Sequence, residues 1–246
     1  MSLFRFLGCF GIFGAFIGEA MIMDLCCFFL GTVESVRREM KAELVARYSA
    51  RMLRLLGILI KKRNLKNRKM NGLLVCNHLS YIDVLVLACS APSTFVTSVE
   101  VKHSFGLGLI TRLAGCVFVE RRNRSTIGTD SDQIRKILES GGSVVLFPEG
   151  TSTNGDQVLP FRPAFFQSAI DARSSIHDFY LTYDHSAVAY YGDMQFISHL
   201  WNLCCEKTIR ATLTYLGDTE IKSDSDRKCI AHWSHARVLS EHVSRI

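Results

Sequence analysis

The sequence predicts an α/β domain with a mainly parallel, mixed sheet flanked by helices and preceded by N-terminal helices. Three observations support this prediction: an apolar segment over residues 3–33, a basic segment over residues 34–69, and short β-rich runs that alternate with helical stretches after residue 70. Such alternation indicates a parallel sheet, because parallel strands need a crossover that a helix usually supplies. We expect residues 1–70 and 71–246 to form two functional parts of one chain.

The composition sets the frame for that prediction. A chain of 246 residues that is 48% hydrophobic and has four prolines can bury one large core, which excludes a disordered protein. Its nine cysteines form no C-x-x-C pair or other zinc-binding spacing, so the sequence predicts a reducing compartment and no structural metal.

The apolar segment over residues 3–33 is interrupted only by Arg5, Glu19 and Asp24. A carboxylate at the centre of a bilayer costs roughly 2.5–3.5 kcal/mol, and Glu19 lies near the middle of the segment. A spanning or signal-anchor helix, a monotopic or re-entrant anchor, a buried core helix and a cleaved signal peptide all stay open.

The basic segment follows directly. It has twelve Lys and Arg against three Glu, a charge of +9 in a chain whose total is +6. A solvated helix face and a nucleic-acid patch are alternatives. An amphipathic helix against anionic headgroups fits better, because Tyr48 is the segment's single aromatic residue and apolar residues recur along it, at Leu44, Met52, Leu55, Leu56, Ile58 and Leu59. We therefore expect residues 1–70 to associate with membrane lipids and not with nucleic acid.

Elements after residue 70 are predicted from apolar runs, helical spacing and glycine stops. Strands are expected over 73–76, 95–98, 116–119, 143–147, 179–183 and 209–215. Helices are expected over 81–89, 108–114, 130–139 and 226–243, the third of them ended by a pair of glycines at 141 and 142.

The run Asn77-His78-Leu79-Ser80-Tyr81-Ile82-Asp83 places an imidazole and a carboxylate at a strand-to-helix corner. Ser80 and Asp83 fit a capping box, and His78 alone fits an ordinary strand-end histidine. Alternatively, Asp83 orients His78 as a general base. A Cys76/His78 nucleophile pair also stays open, because strand alternation aims both residues the same way.

Two later segments carry candidate anion-binding groups. The first, at 115–122, ends with Arg121 after a strand, and the second, at 147–152, is a Pro-Glu-Gly turn after another strand. A surface arginine and an ordinary turn are the alternatives. Arg suits phosphate, and the N–H groups of Gly150, Thr151 and Ser152 suit an oxyanion or phosphate, with Arg162 as a further basic candidate. Nothing in the spacing of His177, His185 and His199 fixes a metal site.

Together these segments resemble the glycerolipid acyltransferases typified by 1-acylglycerol-3-phosphate acyltransferase. His78 to Asp83 is similar to the family's His-x4-Asp box, Gly115 to Arg121 to its Gly-x-x-Phe-Val-x-Arg box, and Phe147 to Ser152 to its Phe-Pro-Glu-Gly-Thr-Ser box. The resemblance covers residues 71–183, where the three boxes occur in the family's order.

The resemblance implies an O-acyltransferase. His78, polarised by Asp83, would deprotonate the hydroxyl of a lysophospholipid, which then attacks the thioester of acyl-CoA or acyl carrier protein. It implies that Arg121, Glu149, Gly150, Thr151, Ser152 and Arg162 form the acceptor site, with Glu149 organising it. It also implies that no cofactor or metal is bound, and it places residues 71–246 as the catalytic domain at the cytoplasmic face of a bacterial inner membrane.

Four functions fit the sequence: phospholipid biosynthesis from 1-acylglycerol-3-phosphate, acylation of another lysolipid such as a lyso-ornithine lipid, thioester hydrolysis, and non-catalytic binding of a membrane or nucleic acid through the basic helix. One position departs from the family pattern. The family's fourth box has a proline at the start of a late strand, where this chain has Asp178. The departure concerns acyl-chain or acceptor handling rather than the base.

Overall fold

The computed structural model of this chain describes residues 2–65, 70–104, 106–120, 127–222 and 225–245, and for residues 127–130 it describes the backbone alone. The described strands form one seven-stranded sheet. Their bounds are β1 Ile58–Arg63, β2 Gly72–Cys76, β3 Thr94–Ser98, β4 Val117–Val119, β5 Ser143–Leu146, β6 Ile176–Tyr183 and β7 Ile209–Thr219.

The sheet is mainly parallel, in the order β1-β7-β6-β2-β5-β3-β4. Only the β6–β7 pair is antiparallel, so β1 and β7 run opposite to the other five strands. β2 lies at the centre between β5 and β6, and all five of its residues are buried. Its uninterrupted apolar run is what a strand covered on both faces requires.

Nine α-helices are described. Their bounds are α1 Ser2–Phe29, α2 Glu34–Leu56, α3 Ile82–Ser90, α4 Val99–His103, α5 Leu107–Leu113, α6 Ile127–Glu139, α7 Gln167–Asp171, α8 Phe196–Cys205 and α9 Arg227–Val243. Two short 3-10 helices lie at Pro163–Phe166 and Ser186–Val188.

Alternate residues of each central strand point into two separate cores. Leu74 and Phe179 belong to the core that also contains residues of α1, α2, α3 and α8. Leu73 and Ile176 belong to the core that contains residues of α6, α7 and α9. Successive side chains of a strand point to opposite faces of the sheet, so the domain has three layers: helices, the sheet, and helices on its other face.

The predicted fold class is confirmed, and each strand and helix predicted after residue 70 is present with its ends moved by a few residues. One prediction before residue 70 is wrong: Ile58 and Leu59 lie in β1, not in an amphipathic helix. The helix ends at Leu56 because Gly57 adopts the left-handed conformation, with φ of 75°, and its N–H caps the last turn. The division at residue 70 stays a prediction, with β1 as a strand that the first part contributes to the sheet.

α1 and α2 pack against each other through a small core of Phe16, Ala20, Leu44 and Tyr48. The acidic residues of α1 face α2. The Glu19 carboxylate accepts hydrogen bonds from Arg47 at 2.6 Å and from the Tyr48 hydroxyl at 2.8 Å.

Asp24, the other acidic residue of α1, accepts from Arg37 at 2.9 Å and from Lys41 at 3.1 Å. α1 is long and apolar enough to cross a membrane by length and composition, and only 17% of its most apolar window is buried. Its polar residues therefore contact the protein, while large apolar side chains such as Phe4, Leu7, Leu25 and Phe28 are exposed.

Candidate active site

His78 and Asp83 lie together at the carboxyl end of the central strand. His78 follows β2, and Asp83 lies in the first turn of α3, fully buried. The His78 Nδ1 atom is 2.8 Å from Asp83 Oδ2. A carboxylate only accepts, so Nδ1 carries the proton and Nε2 keeps its lone pair. Among the described residues Nε2 has no hydrogen-bond partner, and the side chain is 20% exposed.

The same carboxylate also caps the helix. Asp83 Oδ2 accepts from the backbone N–H of Leu79 at 2.6 Å and of Ser80 at 2.8 Å, and the Ser80 hydroxyl accepts from the Ile82 N–H at 3.3 Å. The capping-box interpretation and the general-base interpretation of these residues therefore describe one arrangement. The backbone donors fix the carboxylate so that it can orient the imidazole.

Tyr183 completes the surroundings of Asp83. It lies at the end of β6, next to β2, and its hydroxyl donates to Asp83 Oδ1 at 2.7 Å. Each carboxylate oxygen thus has its own donors. Tyr183 was not among the predicted site residues, because one hundred positions separate it from Asp83. The signal was its place at the end of a predicted strand, where the carboxyl ends of parallel strands meet.

Glu149 supports His78 from the neighbouring strand end, after β5. It is buried, with 3% of its surface exposed, and accepts from the backbone N–H of His78 and of Leu159, both at 2.8 Å. Burial raises its pKa from an ordinary 4.5 to about 7, against the two hydrogen bonds, which lower it. The carboxyl group is therefore occupied by backbone donors and holds the strand-end loop of His78 in place.

Two further contacts fix the imidazole and its loop. The ring of His78 stacks on Phe147, with centroids 4.1 Å apart and planes inclined by 17°. Asn77 exchanges two hydrogen bonds with the backbone of Leu181, 2.9 Å as donor and 2.7 Å as acceptor. The asparagine therefore extends the β2–β6 pairing past the end of the strand, where the chain leaves the sheet.

The Pro-Glu-Gly turn is built for close approach to Arg162. Gly150 has φ of 77°, and a Cβ atom there would lie 2.8 Å from the Arg162 guanidinium carbon. The Arg162 N–H donates to the Pro148 carbonyl at 3.0 Å. Glycine alone readily adopts this positive φ and has no Cβ atom to collide with the guanidinium group. The Arg162 side chain can therefore lie directly over the turn.

One expectation about the turn is wrong. The Gly150 N–H donates to the Phe147 carbonyl at 3.1 Å, so it does not point at a ligand. The N–H groups of Thr151 and Ser152 have no acceptor among the residues that the structure describes, and Thr151 is exposed. The Ser152 hydroxyl donates to the Tyr190 carbonyl at 2.5 Å, a bond within the protein.

The remaining predicted residues lie elsewhere. Arg121 lies outside the described residues; Val119, which ends β4, is described.

Burial raises the pKa of the Cys76 thiol well above its ordinary value, so a Cys76 thiolate nucleophile is not supported. His177 and His199 each bond a backbone carbonyl through Nε2, and His185 pairs with Glu206.

Asp178, which departs from the family pattern, lies on the other face of the sheet. It is fully buried, accepts from the Ser234 hydroxyl and from Arg237 at 3.0 Å, and so binds α9 to β6. Burial raises its pKa, while both partners lower it. In this position its role is structural.

An apolar cavity of about 120 Å³ lies between α1, α2, α3 and α5. Its lining is almost wholly hydrocarbon and includes Phe16, Met52, Leu85, Phe95 and Ala114. A lining of this kind suits an apolar group and not a charged one.

The arrangement can perform one kind of chemistry. A neutral imidazole with a free Nε2, oriented by a buried carboxylate, can take a proton from a hydroxyl and return it to a leaving group. Cations beside a glycine turn can hold an anionic substrate next to it.

A protein-family model, several known proteins and a solved structure match this sequence or fold. The Acyltransferase family model matches residues 58–182. The 1-acyl-sn-glycerol-3-phosphate acyltransferase of Neisseria gonorrhoeae is 31% identical over 163 residues, which cover 64% of this chain and 64% of the relative. The lyso-ornithine lipid O-acyltransferase of Rhizobium meliloti is 38% identical over 118 residues, 48% of this chain and 40% of the relative.

The chain spans about 64% of the length of the first of these relatives. Among solved structures, the 1-acyl-sn-glycerophosphate acyltransferase PlsC of Thermotoga maritima matches with a TM-score of 0.63 and 16% identity, over 99% of this chain and 97% of that one. At this identity the match concerns the fold alone. The family model covers more than half of the chain, and the chain therefore belongs to the Acyltransferase family.

Proposed function

We propose that this protein transfers an acyl group from a thioester to the free hydroxyl of a lysophospholipid, with 1-acylglycerol-3-phosphate as the first candidate and phosphatidic acid as its product. The observation that carries the proposal is the 2.8 Å contact between His78 Nδ1 and the buried Asp83. It leaves Nε2 as the base at the open edge of the sheet. Family membership supports the reaction class.

In the proposed mechanism, His78 Nε2 takes the proton of the lysolipid hydroxyl as that oxygen attacks the thioester carbonyl carbon. The imidazolium that forms is stabilised by Asp83, whose second oxygen is held by Tyr183. The tetrahedral intermediate collapses, the carbon–sulfur bond breaks, and the imidazolium returns the proton to the sulfur. An ester and a free thiol result.

We place the acceptor's phosphate over the turn that follows Gly150, at the N–H groups of Thr151 and Ser152. Arg162 lies over the turn, and we propose Arg121 as a second cation. The Glu149 carboxylate is satisfied by backbone donors, so we assign it to the support of the His78 loop and not to phosphate. We assign one acyl chain to the apolar cavity beside α3.

The donor is acyl-CoA or acyl carrier protein, and no bound cofactor is part of the proposal. A lyso-ornithine lipid is the second candidate acceptor, because the 38% identical relative is named for that activity. Its zwitterionic headgroup lacks the phosphate that the basic residues at the turn would bind.

We also propose that residues 1–70 attach the protein to the cytoplasmic face of a bacterial inner membrane. Monotopic attachment is favoured over spanning, because Glu19 and Asp24 bind α2, so α1 lies along the domain. Nine free cysteines agree with a reducing compartment.

The proposal is tested by giving the purified protein 1-acylglycerol-3-phosphate or a lyso-ornithine lipid, each with acyl-CoA or with acylated carrier protein. The products are identified by mass. We expect phosphatidic acid from 1-acylglycerol-3-phosphate. An acylated ornithine lipid as the main product would select the second acceptor. Thiol release at full rate without any acceptor would contradict the transferase and indicate a hydrolase.

A further inference from the structure

α8 has a composition that the chemistry of the site does not explain. Its sequence, Phe196–Cys205, has no Asp, Glu, Lys or Arg, although it lies on the surface. Its inner face contributes Leu200, Leu203 and Cys204 to the core, but Ile197 is 52% exposed and Trp201 is 39% exposed. These two residues are one helical turn apart and therefore share a face.

The loop before α8 extends this apolar face. Tyr191 and Met194 are each 40% exposed, and the polar residues Asp193 and Gln195 beside them are exposed as well. A soluble surface helix usually has charged residues on its outer face. This one exposes Ile197 and Trp201, together with the uncharged residues Ser198, Asn202 and Cys205. An uncharged, amphiphilic tryptophan at a boundary is characteristic of the headgroup region of a bilayer.

α8 is joined tightly to α1. The rings of Trp201 and Phe6 are 5.2 Å apart, and Phe6 contacts Phe10 at the same distance. Arg5 donates to the carbonyl oxygens of Glu206 and Lys207, which follow the end of α8. The apolar outer face of α8 is thus continuous with the exposed apolar side chains of α1 and held at a fixed angle to them.

α8 and its loop also contact the active-site corner. The Tyr190 N–H donates to the Leu79 carbonyl at 2.9 Å, next to His78. Tyr81 packs on Phe196, and its hydroxyl is 3.0 Å from His199 Nδ1. One rigid unit therefore joins the apolar surface to the loop that carries the base.

We propose that α8 is a second bilayer-contacting surface, which inserts Ile197 and Trp201 among the lipids beside the entrance to the His78 site. This inference rests on the proposed function, because the substrate is taken to be a membrane lipid. The occupant is a phospholipid bilayer and not another protein, since the face continues the apolar surface of α1 and has no charge pattern for a protein partner. A lysolipid hydroxyl can then reach His78 while its acyl chain stays in hydrocarbon.

The chain offers its own probe, because it has only two tryptophans. Trp201 lies on the proposed surface, and Trp233, which is 57% exposed, lies on α9 at the other face of the sheet. W233F leaves Trp201 as the only indole, and W201F leaves Trp233. Each variant is mixed with phosphatidylglycerol and phosphatidylcholine vesicles, with and without bromine on the acyl chains, and binding is followed by cosedimentation.

We expect Trp201 emission to shift to shorter wavelength and to be quenched by the brominated vesicles, and Trp233 emission to stay that of an indole in water. H78A should retain the Trp201 signal, measured on the W233F background, so a failed acyltransferase assay would leave this result standing. Vesicle binding without quenching of Trp201, equal quenching of both tryptophans, or no vesicle binding at all would overturn the proposal.

A second variant measures the contribution of the surface. I197S/W201S should weaken vesicle binding on the order of tenfold or more, because the two serines bury less apolar area in the bilayer than isoleucine and tryptophan do. Turnover of lysolipid in detergent micelles should be kept, because neither side chain contacts the base. Unchanged vesicle binding by the folded double variant would also overturn the proposal. If that variant fails to fold, the two conservative single-tryptophan proteins still decide the question.

Discussion

Removal of one hydroxyl from Tyr183 should slow the reaction without unfolding the protein. In Y183F the Asp83 Oδ1 atom loses its donor, which now lies at 2.7 Å. Asp83 is fully buried, so water does not replace that donor freely. A hydrogen bond to a charged group is worth about 1.5–3 kcal/mol.

The loss of this hydrogen bond raises the free energy of the step in which His78 becomes positively charged. A carboxylate with one free oxygen is held less firmly and stabilises the imidazolium less well. If the whole contribution is lost in the transition state, kcat falls roughly ten- to hundredfold. Initial rates of thiol release with saturating donor and lysolipid measure this fall, and circular dichroism checks that the fold is retained.

A matched control lies three residues earlier on the same strand. The Tyr180 hydroxyl is 2.9 Å from His242 Nδ1, on the face of the sheet opposite α3. Y180F removes the same atom and should lower the free energy of unfolding by about 0.5–1.5 kcal/mol while leaving kcat unchanged. Full activity of Y183F, or an equal loss of activity in both variants, would show that the Tyr183 hydroxyl does not support Asp83 in the reaction.

Three further predictions concern Glu149, Asp178 and the apolar cavity. Because burial raises the Glu149 pKa to about 7, this carboxyl group holds more proton in the folded protein than in the unfolded chain between pH 4.5 and 7, so its contribution to the free energy of unfolding should fall as pH rises through that range. Urea titrations should show a shallower fall for E149Q, and equal slopes would contradict this. D178N should lower stability by about 1–3 kcal/mol and leave kcat unchanged, because the Asp178 contacts are to α9; a loss of activity at full stability would show that the residue serves the site. A114L should fill the apolar cavity and shift preference to shorter acyl chains in a competition between two donors, and an unchanged preference would place the chain elsewhere.

The catalytic pair could be predicted from sequence because its geometry is local. His78 and Asp83 are five residues apart, and a strand end followed by one helical turn brings them together with little help from the rest of the chain. Tyr183 and Glu149 reach the same site from two other strands. Their places depend on the order of strands in the sheet, which no local pattern determines.

At two other places, β1 and the Gly150 N–H, the structure differs from the prediction for a local reason. β1 was missed because the basic residues at 61–63 continue the pattern of α2, while the break depends on the backbone of Gly57, a single position. The Gly150 N–H was expected to be free because a turn residue can point its donor either way, and only the fold shows that it closes onto Phe147.

A comparison of two histidine variants tests whether His78 is the base. Acyl transfer from thioester to 1-acylglycerol-3-phosphate is measured for H78A and for H232A, a control at an exposed position of α9. We expect H78A to keep its unfolding midpoint within a few degrees and to lose at least about a hundredfold in kcat, while H232A is unchanged. Undiminished turnover by folded H78A would contradict it.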